Sequence, residues 1–179
     1  MCICLPELVS RASQALAAAT TAAEVLEARD VAALAYDAAK AAARFAKAKG
    51  AHDELIAAAH RAQADALEIE AQAKRRLADE YDAAQQQGEV ASGSVRTDIV
   101  PQGNDVRPAT AADLGLTRKA IHEARQLRDA EAADPGVIRR ALDARLESGQ
   151  EPTKAAVRGA VAEVINLDDR RRGWRRRKP

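Results

Sequence analysis

Pro108 to Leu127 reads P-A-T-A-A-D-L-G-L-T-R-K-A-I-H-E-A-R-Q-L. The spacing predicts a short helix, a bend at Gly115 and a longer helix opened by Thr117, the arrangement of a helix-turn-helix. Gly115 supplies the positive φ that the bend needs without steric cost. Ala111 is small enough for two helices to cross closely, and Leu114, Leu116, Ile121 and Ala124 would fill the space between them. Thr117 can cap the second helix through its hydroxyl. Arg118, Lys119, His122, Glu123 and Gln126 then fall on the outer face, a set suited to base edges in a major groove. The competing reading of the same residues is an ordinary helical hairpin with a glycine bend.

Outward from this stretch, the composition points to an all-α chain. Alanine makes up about a quarter of the 179 residues and aromatics only 2%. Such a chain favours helix almost everywhere and brings little bulk to a core, so close-packed helices are expected. No run has the strict alternation or the β-branched clusters of a buried strand.

Leu5 or Pro6 to Ala19 reads as a first helix. Thr21-Ala22-Ala23-Glu24 is a capping-box signature, and the helix it starts can run to Lys49, where Gly50 ends it. The next helix starts near His52 and Asp53 and reaches about Gln87, before Gly88. At 1.5 Å per residue these two would be about 40 and 54 Å long. Their short connection predicts a long antiparallel, coiled-coil-like hairpin. Its seam is Leu55, Ala59, Ala62, Ala66, Ile69, Ala73, Leu77 and Tyr81 against Val25, Ala28, Ala32, Ala35, Ala39, Ala42 and Phe45. An alanine seam buries little area, so the first helix or a second copy of the chain is expected alongside, with a homodimer through this hairpin as the partner expectation. The charges Glu68, Glu70, Lys74, Arg75 and Arg76 read as a solvated face with i,i+4 pairs.

Four segments follow: the hairpin over 1–88, a flexible linker over 89–108, a helix-turn-helix domain over 109–168 and a basic tail over 169–179. Within the linker Ser92, Gly93, Ser94, Pro101, Gly103 and Asn104 replace alanine, which predicts two independently moving halves. Asp134-Pro135 and Pro152-Thr153 open two further helices, with Val137, Ile138, Leu142 and then Val157, Val161 as apolar stripes.

The net charge of +1 hides an asymmetry. Residues 1–88 hold ten Lys/Arg against thirteen Asp/Glu, and residues 89–179 hold eighteen against fourteen. Seven of those eighteen lie between Arg170 and Lys178, a run expected to self-repel and stay disordered in isolation. Nucleic-acid affinity would therefore come from local patches. Arg118, Lys119 and His122 are the candidates for base edges, with Gln126 beside them and Thr117 at the cap. Arg107, Arg125, Arg170, Arg171, Arg172, Arg175, Arg176 and Arg177 are the candidates for phosphates of double-stranded DNA.

No enzyme chemistry is expected, since neither nucleophile, metal set nor phosphate loop is legible. Cys2 and Cys4 are too few for a zinc site, and His52 and His60 lack a third ligand at helical spacing, so no metal and no cofactor are expected. No stretch approaches the length of an apolar span, which points to a cytoplasmic, nucleoid-associated protein with no membrane partner. The alternative function is a helical adaptor that binds a partner helix and touches nucleic acid only through its tail.

From Thr110 to about Val161 the text A-D-L-G-L-T-R-K-A-I-H-E-A-R-Q-L followed by D-P-G-V-I-R-R-A-L-D-A-R-L-E-S-G resembles the DNA-binding region of ParB-type partition proteins. The resemblance covers under a third of the chain and implies duplex DNA binding by a helix-turn-helix. The nucleotide-binding domain of that family has no counterpart here, so its CTP chemistry is not carried over. The alanine-rich part with A-E-V-L-E-A-R-D, followed by such a helix-turn-helix motif, is also similar to small prophage and plasmid proteins, mostly without assigned function, which implies a mobile-element origin; the expected function is that of a DNA-binding mobile-element regulator or a partition or replication accessory factor.

Overall fold

The computed structural model describes residues 4–91 and 108–176, with side chains as far as 168. Six helices follow in order: α1 (Leu5–Ala18), α2 (Ala22–Ala48), α3 (Asp53–Gln86), α4 (Arg118–Ala133), α5 (Val137–Glu147) and α6 (Lys154–Arg176). The described residues are thus all-α; one isolated bridge, Val90 to Ala109, is the only extended pairing among them.

Local chemistry explains where the long helices start. The Thr21 side chain accepts from the Glu24 N–H while the Glu24 carboxylate takes the Thr21 N–H, so two otherwise orphaned donors at the start of α2 are satisfied. Hydrogen bonds from the Thr20 N–H and hydroxyl, and then from the Thr21 N–H, hold the Glu24 carboxyl below its usual range. The chain turns between α2 and α3 through Gly50 at φ +62.

α2 and α3 meet along their length, with partners in reverse chain order. Val25 shares a core cluster with Leu77 and Tyr81, and Ala35 and Tyr36 share one with Ala64 and Leu67. α1 lies against both, Ala12 packing with Ala32 and Ile69. Two positions of the expected seam are corrected. Phe45 and Leu55 are 66% and 60% exposed, and Ala43 is buried on the inner side of α2 where Phe45 was expected. Both large residues sit at the end of the helix pair next to the Gly50 turn, where the Lys49 ammonium lies 5.7 Å from the centre of the Phe45 ring.

The two halves of the chain are in contact. α4 and α5 pack on α3, α6 packs on α4 and α5, and one cluster joins Tyr36 of α2 and Leu67 of α3 to Leu127, Ile138, Leu142, Val157 and Val161. The C-terminal helices do not stand clear of the hairpin: Leu127, Ile138 and Leu142 share their apolar cluster with Leu67 of α3. The two ends of the 92–107 stretch are also pinned together. Ala91 donates to the Ala109 carbonyl and Ala109 to that of Glu89, at 2.9 and 2.8 Å, and Val90 is buried. Residues 92–107, most of the expected linker, lie outside the described residues.

Charges expected on a solvated face of α3 instead face its neighbours. Glu70 is buried between Lys74 and Lys154, at 3.0 and 2.9 Å. Lys74 also reaches Glu123 on α4, Arg75 reaches Glu131, and Glu68 with Asp65 holds Arg139 of α5. Arg76 donates to the carbonyls of Leu16 and Ala19, tying down the end of α1.

The two later helix starts also differ from the sequence reading in detail. α5 begins after Gly136, whose φ is +81, and Asp134 is bonded to Arg140 instead of capping the helix. Thr153 does cap α6, accepting from the Ala156 N–H at 3.2 Å. α6 continues to Arg176, so the backbone of residues 169–176 is helical where a disordered tail was expected. Arginine is a good helix former, and cations at a helix C-terminus complement its dipole. No described helix is long and apolar enough to cross a membrane.

Candidate nucleic-acid interface

The segment Thr110 to Gly115 is one tight turn, not the short helix expected. Thr110 accepts from the Asp113 N–H, and the Asp113 carboxylate accepts from the Thr110 N–H at 2.8 Å. Gly115, at φ +68, closes the turn as the Leu116 N–H donates back to the Ala111 carbonyl at 2.8 Å. With cap and stop only five residues apart, a second turn has no room. Leu116 is buried, while Leu114 is exposed. The support expected from a first helix comes from α3: Leu116 and Ile121 join Ala73, Leu77 and Tyr81.

Thr117 then starts α4, accepting from the Ala120 N–H at 3.1 Å. Ile121, Ala124, Leu127 and Ala130 form its inner face. Ion pairs to α3 flank that face. Arg125 and Arg128 both bind the Asp82 carboxylate, and Arg125 also donates to Gln85 and lies 5.6 Å from the centre of the Tyr81 ring. Burial alone would raise the Asp82 pKa; the hydrogen bonds from the two guanidiniums outweigh it and hold the carboxyl below its usual range. Arg128 is correspondingly pushed up. Arg125, expected on phosphates, is therefore committed to α3.

The expected base-reading residues lie on the other side of α4. Thr117, Arg118, Lys119 and His122 are exposed and Gln126 is half-buried. Lys119, His122 and Gln126 form one wall of a groove of about 290 Å³ between α4 and α6. Arg158 and Ile165 stand on the α6 side, and Leu127 and Val161 supply apolar lining. Arg158 was missed in the sequence, because only the packing of α6 along α4 brings it to this face. Arg170, Arg171, Arg172, Arg175 and Arg176 have their backbone on the last turns of the same helix. Arg107 and Arg177 lie outside the described residues.

Among the described cations of the C-terminal half, Arg140 pairs with Asp134 and Arg145 donates to the Glu151 carbonyl, both within that half. Arg125, Arg128, Arg139 and Lys154 pair with carboxylates of α3. Arg118, Lys119 and Arg158 make no such ion pair among the described residues, and all three are exposed. No group of three or more His, Cys, Asp or Glu able to hold a metal occurs among the described residues. In comparisons with known proteins, no family model, no curated sequence and no solved structure matches this chain.

Proposed function

We propose that the protein binds duplex DNA through the outer face of α4 and the adjoining turns of α6. The observation that carries this reading is the division of cations: those facing α3 are neutralised, and Arg118, Lys119 and Arg158 are left to solvent on one surface. An unneutralised set beside a helix of 23 residues that ends in a run of arginines can displace counterions from a phosphate backbone. His122, four residues after Arg118, falls on the same face of α4 and brings hydrogen-bonding capacity to base edges. In this reading α2 and α3 form an antiparallel hairpin that serves as the platform, and the turn plus α4 is an abbreviated helix-turn-helix. The role is that of a regulatory, partition or replication accessory factor, without catalysis.

A salt titration by fluorescence anisotropy on labelled duplex tests it. Affinity is expected to fall steeply with salt, and Arg118→Ala/Lys119→Ala/Arg158→Ala to flatten that slope by about 2–3 in log–log terms. An unchanged slope removes these residues from the interface.

One observation favours a second reading. Leu127, Val161 and Ile165 line the groove between α4 and α6, which suits the apolar face of a partner segment. As a helical adaptor the protein would keep its partner at high salt, and its duplex affinity would vanish when residues 170–179 are removed.

A further inference from the structure

α2 carries two apolar faces, and the fold uses one. The inner face is buried against α3 and α1. On the opposite side Val31, Leu34, Ala38, Ala41, Phe45 and Ala48 recur at alternating spacings of three and four. That is the heptad seam of a coiled coil. Its two large members are solvent-exposed, Leu34 at 60% and Phe45 at 66%. Val31, packed against the cluster of Ala12, Ala32 and Ile69, and Ala38 are half-buried.

We propose that this outer seam of α2 is a self-association surface, on which a second copy of the chain docks antiparallel about a two-fold axis passing between Ala39 and Lys40. The inference stands apart from the DNA reading, since it involves neither α4 nor α6. Three features select this occupant. First, the seam is self-complementary: antiparallel pairing places Leu34 on Phe45, Ala38 on Ala41 and Val31 on Ala48, in each case residues from the two copies. The two large exposed groups cover each other, and the alanines at the centre let the helices approach closely. A two-fold axis requires this reciprocity.

Second, charge divides along α2. Glu24, Glu27, Asp30 and Asp37 precede the axis, whereas Lys40, Arg44 and Lys47 follow it. The one cation before the axis, Arg29, is paired with Asp30 at 2.7 Å. Antiparallel docking sets each acidic half beside a basic half, and the helix dipoles oppose. Third, Asp37 and Arg44 flank the seam at positions that face each other across an antiparallel pair. Both are exposed and neither forms an ion pair with another described residue. The axis makes that contact twice. Parallel docking would instead set like-charged halves side by side.

Sedimentation of the full chain from about 1 to 200 µM is expected to show a monomer–dimer equilibrium. Phe45→Glu should weaken the dimer at least about tenfold, and because the side chain is exposed the monomer should keep its helicity. Asp37→Arg and Arg44→Asp should each weaken it, and the double exchange should restore it. Non-specific apolar clustering would not show this rescue. In a background with Cys2→Ser and Cys4→Ser, Leu34→Cys/Phe45→Cys should form intermolecular disulfides, whereas Leu34→Cys alone should not. A monomer throughout that range, a dimer indifferent to Phe45→Glu, failure of the charge exchange to rescue, or ready crosslinking of the single Leu34→Cys variant overturns the proposal.

Discussion

At 4% exposed, the imidazole of His60 sits among the polar groups that α3 turns toward the α5–α6 connection, and its Nε2 has no hydrogen-bond partner among the described residues. Beside it the buried Gln63 donates to Glu151 at 3.2 Å. Burial first, and the Lys47 charge second, lower the His60 pKa below its ordinary 6.5, with Glu151 opposing weakly. Below pH 6.5 the unfolded chain therefore binds more protons than the folded one, so stability rises with pH there. The neutral ring's contribution is complete above 6.5 and is lost as pH falls toward the folded value. Urea unfolding should show a declining free energy from pH 7 to 5, and His60→Gln should flatten it; an undiminished slope would assign the proton to another group. Glu70 and Asp82, both lowered, act in a separate window: their stabilisation is lost only as pH falls below the ordinary 4.5 and 3.8 through their folded values. His60 was visible in the sequence only as a poor metal ligand. Its burial depends on where residue 151 returns to α3, which no local pattern encodes.

At the scale of elements, α3 touches α1, α2, α4 and α5 directly, and α6, which lies mainly on α4 and α5, reaches it through Lys154. Its apolar stripe from Ala59 to Tyr81 was legible because burial on one face leaves a 3.6-residue period. The capping residues Thr21 and Thr117 were legible for a similar reason, since a cap acts over three residues. The polar face of α3 was not. Glu70–Lys74 and Arg76–Glu80 have the i,i+4 spacing of surface pairs, and that spacing does not reveal Lys154, Glu123 or the Ala19 carbonyl as third partners. The distinction has an energetic consequence. Glu70, with its side chain 8% exposed, compensates two lysines, so Glu70→Ala leaves Lys154 and one side of Lys74 without a counter-charge. The expected loss is about 3 kcal/mol. Arg140→Ala, which removes the exposed pair with Asp134, should cost under about 1 kcal/mol. Equal losses in urea titrations would return α3's charges to the solvated face first expected. The seam residues Phe45 and Leu55 show the opposite failure: the inner period continues through them in the sequence, but at the Gly50 end of the helix pair both stay exposed.

For the whole molecule, the composition shift after Gly88 is a change in chain chemistry and says nothing about mechanical independence. Ala35 and Tyr36 near the middle of α2, Leu67 on α3, Leu127 on α4, Ile138 and Leu142 on α5, and Val157 and Val161 on α6 share one cluster. Around it the ion pairs of Asp82, Glu70 and Glu68 cross the same junction. A core of that kind does not need a covalent tether to stay assembled, and it does not expose half of itself without exposing the rest. Thermal unfolding followed by far-ultraviolet circular dichroism and by the fluorescence of Tyr36 and Tyr81 should therefore give coincident single transitions. A sharper version uses a protease site built into residues 92–107. After cleavage the pieces should co-elute in gel filtration at moderate salt and melt together, because Val90 and Ala109 hold the cut ends beside each other and α3 holds everything else. Raising the salt should weaken the nicked complex only modestly, since the apolar cluster remains when the ion pairs are screened. Two separable fragments, or a C-terminal piece melting on its own at lower temperature, would mean that the C-terminal helices merely lean on α3. The cations of α4 and α6 would then have no fixed platform from which to meet a duplex.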